Sequence, residues 1–529
     1  MSSAAAQIQQ PSEPAPPQGA PVEQQPVVEM TAIDPSASPA GLGAPSASPA
    51  SAEANPSAAA VQQQPKKEKQ GKKNKNKGKD VGGANEATAG GQKPAEAAPG
   101  QVQTQQQGAP AVREPRAEVP PDTTTPITVE LIEGRDAFSA LEKEWNAALA
   151  KGPRDEPMLR HEWLKAHFEN FTPSAPLRVF VARTGKELQA AIPLVEKVER
   201  NLDTCGLSMT TWELPASDHS QRGGVLVGRR GVEALPLLWD LIKNTPGWDR
   251  LRLRDLPEGA AEWKLREFAE RDGFPFGLWS SLHSPFVSLP EGKPAERYAK
   301  VEALVDSKFR ANLRRRRKRL TEKHGEVAYV RVDNKDAAAL DVGLADFFDL
   351  EACGWKGEGG SAIALDPKLV GYYTQLARDA AKRGALHLSF IEAGKKRIAG
   401  HLAIAHAGRF FLVKVGYDEA YREFSPGQQL ASDAIRTSCE QGLREFDFLG
   451  PDMSWKDDWE PKLRTHTWLT IFRPSRAGKL VHGARFVGWP VARALIAQVK
   501  EKSAQVKSQL EARRERLTKK TAPDAPEGT

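Results

Sequence analysis

The chain has 529 residues, of which 39% are hydrophobic and 27% charged, with 43 Gly and 40 Pro. That is too long for one ordinary domain and too poor in apolar side chains for a chain that is globular throughout. No run approaches eighteen uncharged apolar residues, which argues against a membrane-spanning helix, and the opening MSSAAAQIQQPSEPAPP has neither the basic start nor the apolar core of a secretory signal. Cys205, Cys353 and Cys439 are isolated and lack CxxC spacing, which argues against a disulfide framework or a structural zinc site. A reducing cytoplasm is the expected location.

Charge is unevenly placed. Residues 1–125 carry 11 Lys/Arg against 12 Asp/Glu, residues 476–529 carry 12 against 5, and the stretch between is nearly neutral. A neutral body predicts no specific DNA binding. Residues 1–125 are Ala, Gln, Pro, Gly and Ser with almost no aromatic or branched apolar side chains, so they read as a disordered tail. Eight lysines between 66 and 79 read either as a polyanion-binding arm or as a solubilising run; no aromatics interleave for base stacking.

Order begins near Ile127. ITVELI reads as a strand, AFSALEKEWNAALAK (137–151) and RHEWLKAHFENF (160–171) as helices, and LRVFVARTGKELQAAIPLVEKVER as two strands about a turn at Gly185. A helix over 232–243 and a strand over 249–256 follow. Shifted by 209 residues, VFVARTGKELQAAIPLV (179–195) falls on LSFIEAGKKRIAGHLAI (388–404), with Gly185 over Gly394 and Lys186 over Lys395. Two tandem copies of one α/β unit explain this, at 126–290 and 291–475.

The second copy opens with DSKFRANLRRRRKRLTEKHG (306–325), a helix capped by Asp306 or Ser307 and stopped by Gly325. Nine Lys/Arg lie between 308 and 323 against one acid, Glu322; they read either as a phosphate-binding face or as a solvated one. Strands at 385–392, 397–407 and 409–418 lead to SPGQQLASDAIRTSCEQG (425–442), a helix with Ser425 as N-cap and Pro426 at its first position. Its free N–H groups and dipole favour an anion, and Gly427 lets a ligand approach the backbone. REFDFLG (444–450) is the next strand. No His/Cys spacing suggests a metal. KLVHGARFVGWPVARALIAQVK in the tail has helically spaced apolar residues among Arg485, Arg493 and Lys500. It reads either as an interfacial helix on an anionic membrane, making the protein peripheral to the inner face, or as a helix packed on the body.

Residues 127–475 resemble a CelD/BcsL-type acetyltransferase of the GNAT superfamily, with FemAB-like tandem architecture. RHEWLKAHF, AAIPLVEK, the Ser217-Asp218-His219 turn, WDRLRLRDLP, SKFRANLRRRRKRL, LEACGWKGEGG, YREFSPGQQL and EFDFLGPDMSWK carry the likeness, in the family's order. The resemblance implies an α/β fold of two GNAT-like units, the second holding acetyl-CoA or another acyl-CoA as co-substrate. Its splayed strands would be 397–407 and 409–418, with the pyrophosphate on Ser425, Gly427, Gln428 and Gln429. Ser425-Pro426-Gly427 replaces the family's usual Gln/Arg-x-x-Gly-x-Gly/Ala loop. The implied chemistry moves an acyl group to an amine or hydroxyl of a sugar, lipid, envelope polysaccharide or peptidoglycan-type precursor. Asp447 or Glu351 would serve as base, Lys456 would stabilise developing charge, and Tyr417 or Tyr421 would protonate the thiolate. Trp355 and Tyr421 would wall the acceptor. An aminoacyl-tRNA donor gripped by the 308–323 arginines, and a scaffold whose site has decayed, are the rival readings.

Overall fold

A computed structural model describes residues 124–488, together with 502, 503 and 510. The expectations for the lysine-rich N-terminal run, and for most of the tail after Gly488, lie outside the described residues.

The first unit runs β1 (Ile127–Glu133), α1 (Arg135–Ala140), α2 (Glu142–Leu149), α3 (His161–Asn170), β2 (Leu177–Thr184), β3 (Glu187–Glu199), β4 (Met209–Glu213), β5 (Leu226–Val227), α4 (Gly231–Asn244), β6 (Arg250–Pro257), α5 (Lys264–Arg271) and β7 (Phe276–Ser288). Two helices follow, α6 (Pro294–Leu304) and α7 (Ser307–His324). The second unit repeats the pattern as β8 (Val327–Arg331), α8 (Ala337–Ala352), α9 (Trp355–Glu358), α10 (Pro367–Lys382), β9 (Leu386–Ala393), β10 (Lys396–His406), β11 (Arg409–Tyr417), α11 (Pro426–Glu440), β12 (Glu445–Asp447), α12 (Ser454–Asp457) and β13 (Lys462–Phe472), with α13 (Arg476–His482) after it. The helix expected over 137–151 is broken at Leu141, whose backbone closes one short helix and opens the next.

All these strands form one sheet in the order β1-β2-β3-β4-β6-β13-β7-β12-β11-β10-β9-β8, with β5 paired to β3 beside it. The order reads the same from either edge once β6 is matched with β12 and β7 with β13. Each unit lends its last strand to the other: β7 pairs with β12, and β13 pairs with β6. The hairpins matched by the 209-residue shift occupy equivalent places, and both turn on a left-handed glycine, Gly185 (φ 59°) and Gly394 (φ 55°). On one face α3 packs against α10, with Trp163 and Phe171 edging the Tyr372 ring, so residues of both units share one core. Gly371 permits that approach, because a Cβ there would meet Asn170 Oδ1 at 2.4 Å.

Where the lent strands meet, the interior is ionic. Arg222 and Asp447 have fully buried side chains and pair directly; Arg222 also donates to Glu156 (3.3 Å), Ser284 (3.0 Å) and His466 Nε2 (3.3 Å). Arg464 donates to Asp447 (2.8 Å) and Glu445 (3.1 Å), and Arg409 to Glu156 (2.9 Å). Burial alone would raise the Glu156 carboxyl, but Arg222, Arg154 and Arg409 pull it down to about 2.

Among the described residues no helix is long and apolar enough to cross a membrane. The start of the tail is packed: Val481 joins Met209 and Phe472 in a small core, and His482 Nε2 lies 2.9 Å from the Phe276 carbonyl oxygen.

Removing one member of a buried ion pair leaves the other charged and unpaired, at a cost of about 3–5 kcal/mol. Asp447→Asn is therefore expected to lower unfolding free energy by about that amount in urea titrations at pH 7. Glu156 titrates near 2 folded and near 4.5 unfolded, so its stabilisation is complete above pH 4.5 and lost as pH falls toward 2. Glu156→Gln should flatten that part of the stability profile.

Candidate functional site

The break in the second unit's sheet lies between β11 and β12. Only Arg409–Phe411 pair with Glu445–Asp447, in parallel. Leu449 (φ 51°) and Gly450 (φ 58°) then turn the chain away, so among the described residues no strand pairs with β11 on that side from Leu412 to Tyr417, and its edge there is free. The splay expected between 397–407 and 409–418 is not there. Those strands pair from Ala399–Tyr417 to His406–Arg409, because a tight turn at Ala407 and Gly408 leaves them no room to part.

Two local features open the break. Leu412 stands opposite Ala403 and Lys414 opposite Leu402, leaving Val413 as an extra, bulged residue that bends β11. Further on, the Asp418 N–H bonds the Ile398 carbonyl. Alternation from there turns the Val415 and Tyr417 peptide groups toward the free edge. The end of α8 lies tightly on this strand: a Cβ on Gly416 would come within 2.7 Å of the Glu351 backbone.

A polar cluster lines this stretch. Buried Glu351 accepts from Lys356 Nζ (2.9 Å) and from the Ile363 N–H (2.9 Å), and Lys356 also donates to the free-edge carbonyl of Val415 (3.0 Å). Lys414 stands 5.4 Å from the Tyr373 ring, and the Tyr373 hydroxyl is 2.9 Å from His219 Nδ1. Burial, aided by Lys356, pulls Lys414 down to about 8 against the opposing pull of Glu351. Burial and Lys414 bring His219 down to about 4, so its imidazole is neutral at pH 7.

The start of α11 stands at the end of the free edge. Asp418 leads through a short helical turn, Glu419–Phe424, to Ser425, which takes the N-cap place in a left-handed conformation (φ 51°). Its hydroxyl makes no capping bond, contrary to expectation, and accepts from the Arg316 guanidinium of α7 instead. Beside Gly427 there is room: a Cβ would touch only Tyr417 Cδ1, at 3.9 Å.

The sequence-derived candidates divide. Glu351, Tyr417, Ser425 and Gly427 border the break, with the Tyr417 hydroxyl donating to Glu419 (3.0 Å); burial and that carboxylate raise the phenol above its ordinary range. Gln428 and Gln429 are adjacent in sequence but turned to structural partners. Gln428 donates to the Trp455 carbonyl (2.6 Å) and Asp458 (3.0 Å) and accepts from Trp459 (2.8 Å), while buried Gln429 donates to the Phe424 carbonyl (2.9 Å). Tyr421 sits elsewhere, with Lys396 (5.4 Å) and His324 about its ring. Asp447 accepts from two arginines at Oδ2 and from the Leu449 N–H at Oδ1 (2.9 Å), so both of its oxygens are already engaged. Lys456 is buried and donates to the Leu449 and Pro451 carbonyls (both 2.7 Å), tying down the turn that parts the strands; burial lowers it to about 8. The side chain of Trp355 lies outside the described residues. Lys356, Lys414, Tyr373 and His219 were not among the sequence-derived candidates, although His219 lies in the Ser217-Asp218-His219 turn and Lys356 in LEACGWK.

For a lysine whose pKa is lower in the folded than in the unfolded chain, the unfolded chain binds more protons between the two values, so stability rises with pH across that window. For Lys414 and Lys456 the window runs from about 8 to 10.5. Urea titrations between pH 7.5 and 10 are expected to show this rise, and Lys414→Met should remove part of it.

Residues 307–457 match a family model described as an acetyltransferase (GNAT) domain. No curated protein matches the chain in sequence. Among solved structures, FemX is 13% identical with a TM-score of 0.47, covering 67% of this chain and 100% of its own. A tandem GNAT protein from the clavulanic acid biosynthesis pathway is 15% identical with a TM-score of 0.36, covering 66% and 100%. The C-terminal domain of a putative lysylphosphatidylglycerol synthetase from Agrobacterium fabrum is 11% identical with a TM-score of 0.39, covering 66% and 96%. The chain is an α/β protein of two GNAT-like units, the second spanning the matched acetyltransferase domain.

Proposed function

We propose that the chain transfers an acyl group from acyl-CoA to an amine or hydroxyl acceptor at the break between β11 and β12. The observation that carries this reading is the free edge of β11 ending at the uncapped start of α11, inside the segment matched to the acetyltransferase domain. An extended amide-bearing arm can pair with a free strand edge, and a pyrophosphate is favoured at a helix N-terminus. The donor would thus run from Gly427 along β11, and Lys356 would yield the Val415 carbonyl to it.

In the transfer, acceptor nitrogen or oxygen bonds to the thioester carbon, the C–S bond breaks, and the acceptor's proton leaves for a base. Lys414 suits that role better than Asp447: burial holds its amine well below the ordinary lysine range, and among the described residues no carboxylate bonds it. Glu351 holds Lys356 and orders the loop at Ile363. Lys456 uses two of its three N–H donors on the turn, which leaves a third for developing negative charge. The acceptor remains as the resemblance implies, a sugar, lipid or envelope precursor. The rival donor, aminoacyl-tRNA, draws its support from the cationic helix α7 beside the α11 start.

Calorimetry should show saturable acetyl-CoA binding, and hydrogen exchange should slow at 412–417 and 426–432 on its addition. Binding of charged tRNA with no response to CoA would replace this donor, and CoA binding with no turnover in a broad acceptor screen would favour a scaffold or sensor. With an acceptor in hand, Lys414→Met and Lys456→Ala are each expected to lower kcat by about a hundredfold with little change in the KM for acetyl-CoA. Rates within about threefold of wild type would remove either residue from the chemistry.

A further inference from the structure

Helices α6 and α7 flank α11, and between them lies a groove of about 210 Å³. It passes Gln429, Ser432, Asp433 and Arg436 on successive turns of α11, so it begins beside that helix's first turn. On its far wall Arg310, Arg314 and Arg317 recur at helical spacing along α7. Ring faces fill much of the remainder: Phe309 edges Trp459 at 5.5 Å, and Arg317 stands 4.8 Å over Tyr329.

The cations of α7 are not equally committed. Arg316 bonds Ser425, Arg319 and Lys323 share Glu423, and Lys318 reaches Glu322. Among the described residues no carboxylate forms an ion pair with Arg310 or Arg314, and Arg310 Nε is buried with no hydrogen-bond partner. A buried donor left unbonded is costly. Two unpaired guanidiniums beside aromatic faces suit a ligand that joins phosphate to a flat ring.

Resting on the acyl-CoA reading, we propose that this groove holds the nucleotide end of the donor, with Arg310 and Arg314 reading its 3′-phosphate and the aromatic wall taking the adenine. The pyrophosphate at the α11 start and the nucleotide alongside the same helix then form one continuous donor track. The carboxylates of Glu302 and Asp433 also line the groove, Asp433 paired with Arg436, and they oppose any phosphate that Arg310 and Arg314 do not hold.

The test is a thermodynamic cycle by calorimetry at fixed salt. Acetyl-CoA and acetyl-dephospho-CoA, which lacks the 3′-phosphate, are each titrated into wild type, into Arg310→Ala/Arg314→Ala, and into Lys318→Ala as a control for general charge. Wild type and the control should favour the 3′-phosphorylated donor by about tenfold, and the double variant should bind the two donors alike. Adenosine 3′,5′-bisphosphate should compete with acetyl-CoA on wild type and lose about tenfold in affinity on the double variant. Both arginines line an open groove without ion-pair partners, so the melting temperature should stay close to that of wild type; if it falls, Arg310→Gln alone replaces the pair in the same cycle. A tenfold preference that survives in the variants overturns the inference while leaving the acyl-CoA reading intact. Failure of wild type to bind acetyl-CoA at all overturns that reading instead, and tRNA competition that depends on the same two arginines would assign the groove to RNA.

Discussion

The buried contact between Arg222 and Asp447 decides how the two halves of the sheet can meet. Asp447 is the last residue of β12, the strand beside which β11 runs free, and Arg222 comes from the loop between β4 and β5 of the other unit. A guanidinium and a carboxylate wholly removed from water repay desolvation best when further hydrogen bonds meet their remaining donors and acceptors. Here Glu156, Ser284 and His466 accept from Arg222, and Arg464 and the Leu449 N–H donate to Asp447. A slip of one residue between β7, β12 and β13 would turn the charges of this knot, together with the buried apolar side chains beside them, to the other side of the sheet.

That fixity carries into the break. Asp447 holds the Leu449 N–H, and Lys456 holds the Leu449 and Pro451 carbonyls, so both sides of the turn that leaves the sheet are clamped. Asp447 and Lys456 thus shape the site first through backbone. The bulge at Val413 then directs both Val413 and Lys414 toward the side where α8 and α10 lie, which places an amine against Tyr373 where strict alternation would have sent it to the α11 side.

How far the sequence could be read follows from the range of each interaction. The α11 helix, the Asp306 cap of α7 and the two glycine-turned hairpins depend on neighbours a few residues away, and all three stand where periodicity put them. The seven-residue strand expected at 444–450 shrinks to three, because the positive φ at Leu449 is imposed by Asp447 and Lys456 rather than by its own propensity. The strand break moved accordingly. Gln428 and Gln429 looked like ligand donors because a helix start is visible in sequence, whereas the α12 segment and the Phe424 turn that occupy them are not. Lys414, Tyr373 and His219 come from three separate segments, and only the sheet's closure brings them together.

The pseudo-symmetry raises the question of why one unit has an open helix start and the other does not. In the first unit α4 occupies the place of α11, between parallel strands β4 and β6. Its first residue is buried: a Cβ on Gly231 would lie 2.6 Å from the Gln189 carbonyl oxygen and 2.8 Å from Val227 Cγ1. The Arg230 N–H is already bonded to the Gln189 side chain (3.0 Å). The gap between β4 and β6 is also filled, since the Gly223 N–H bonds the Asp255 carbonyl (3.1 Å) and the same loop sends Arg222 into the ionic knot. The first unit has thus turned its own break into the joint that braces the second, so the repeat is one of fold and not of the open helix start.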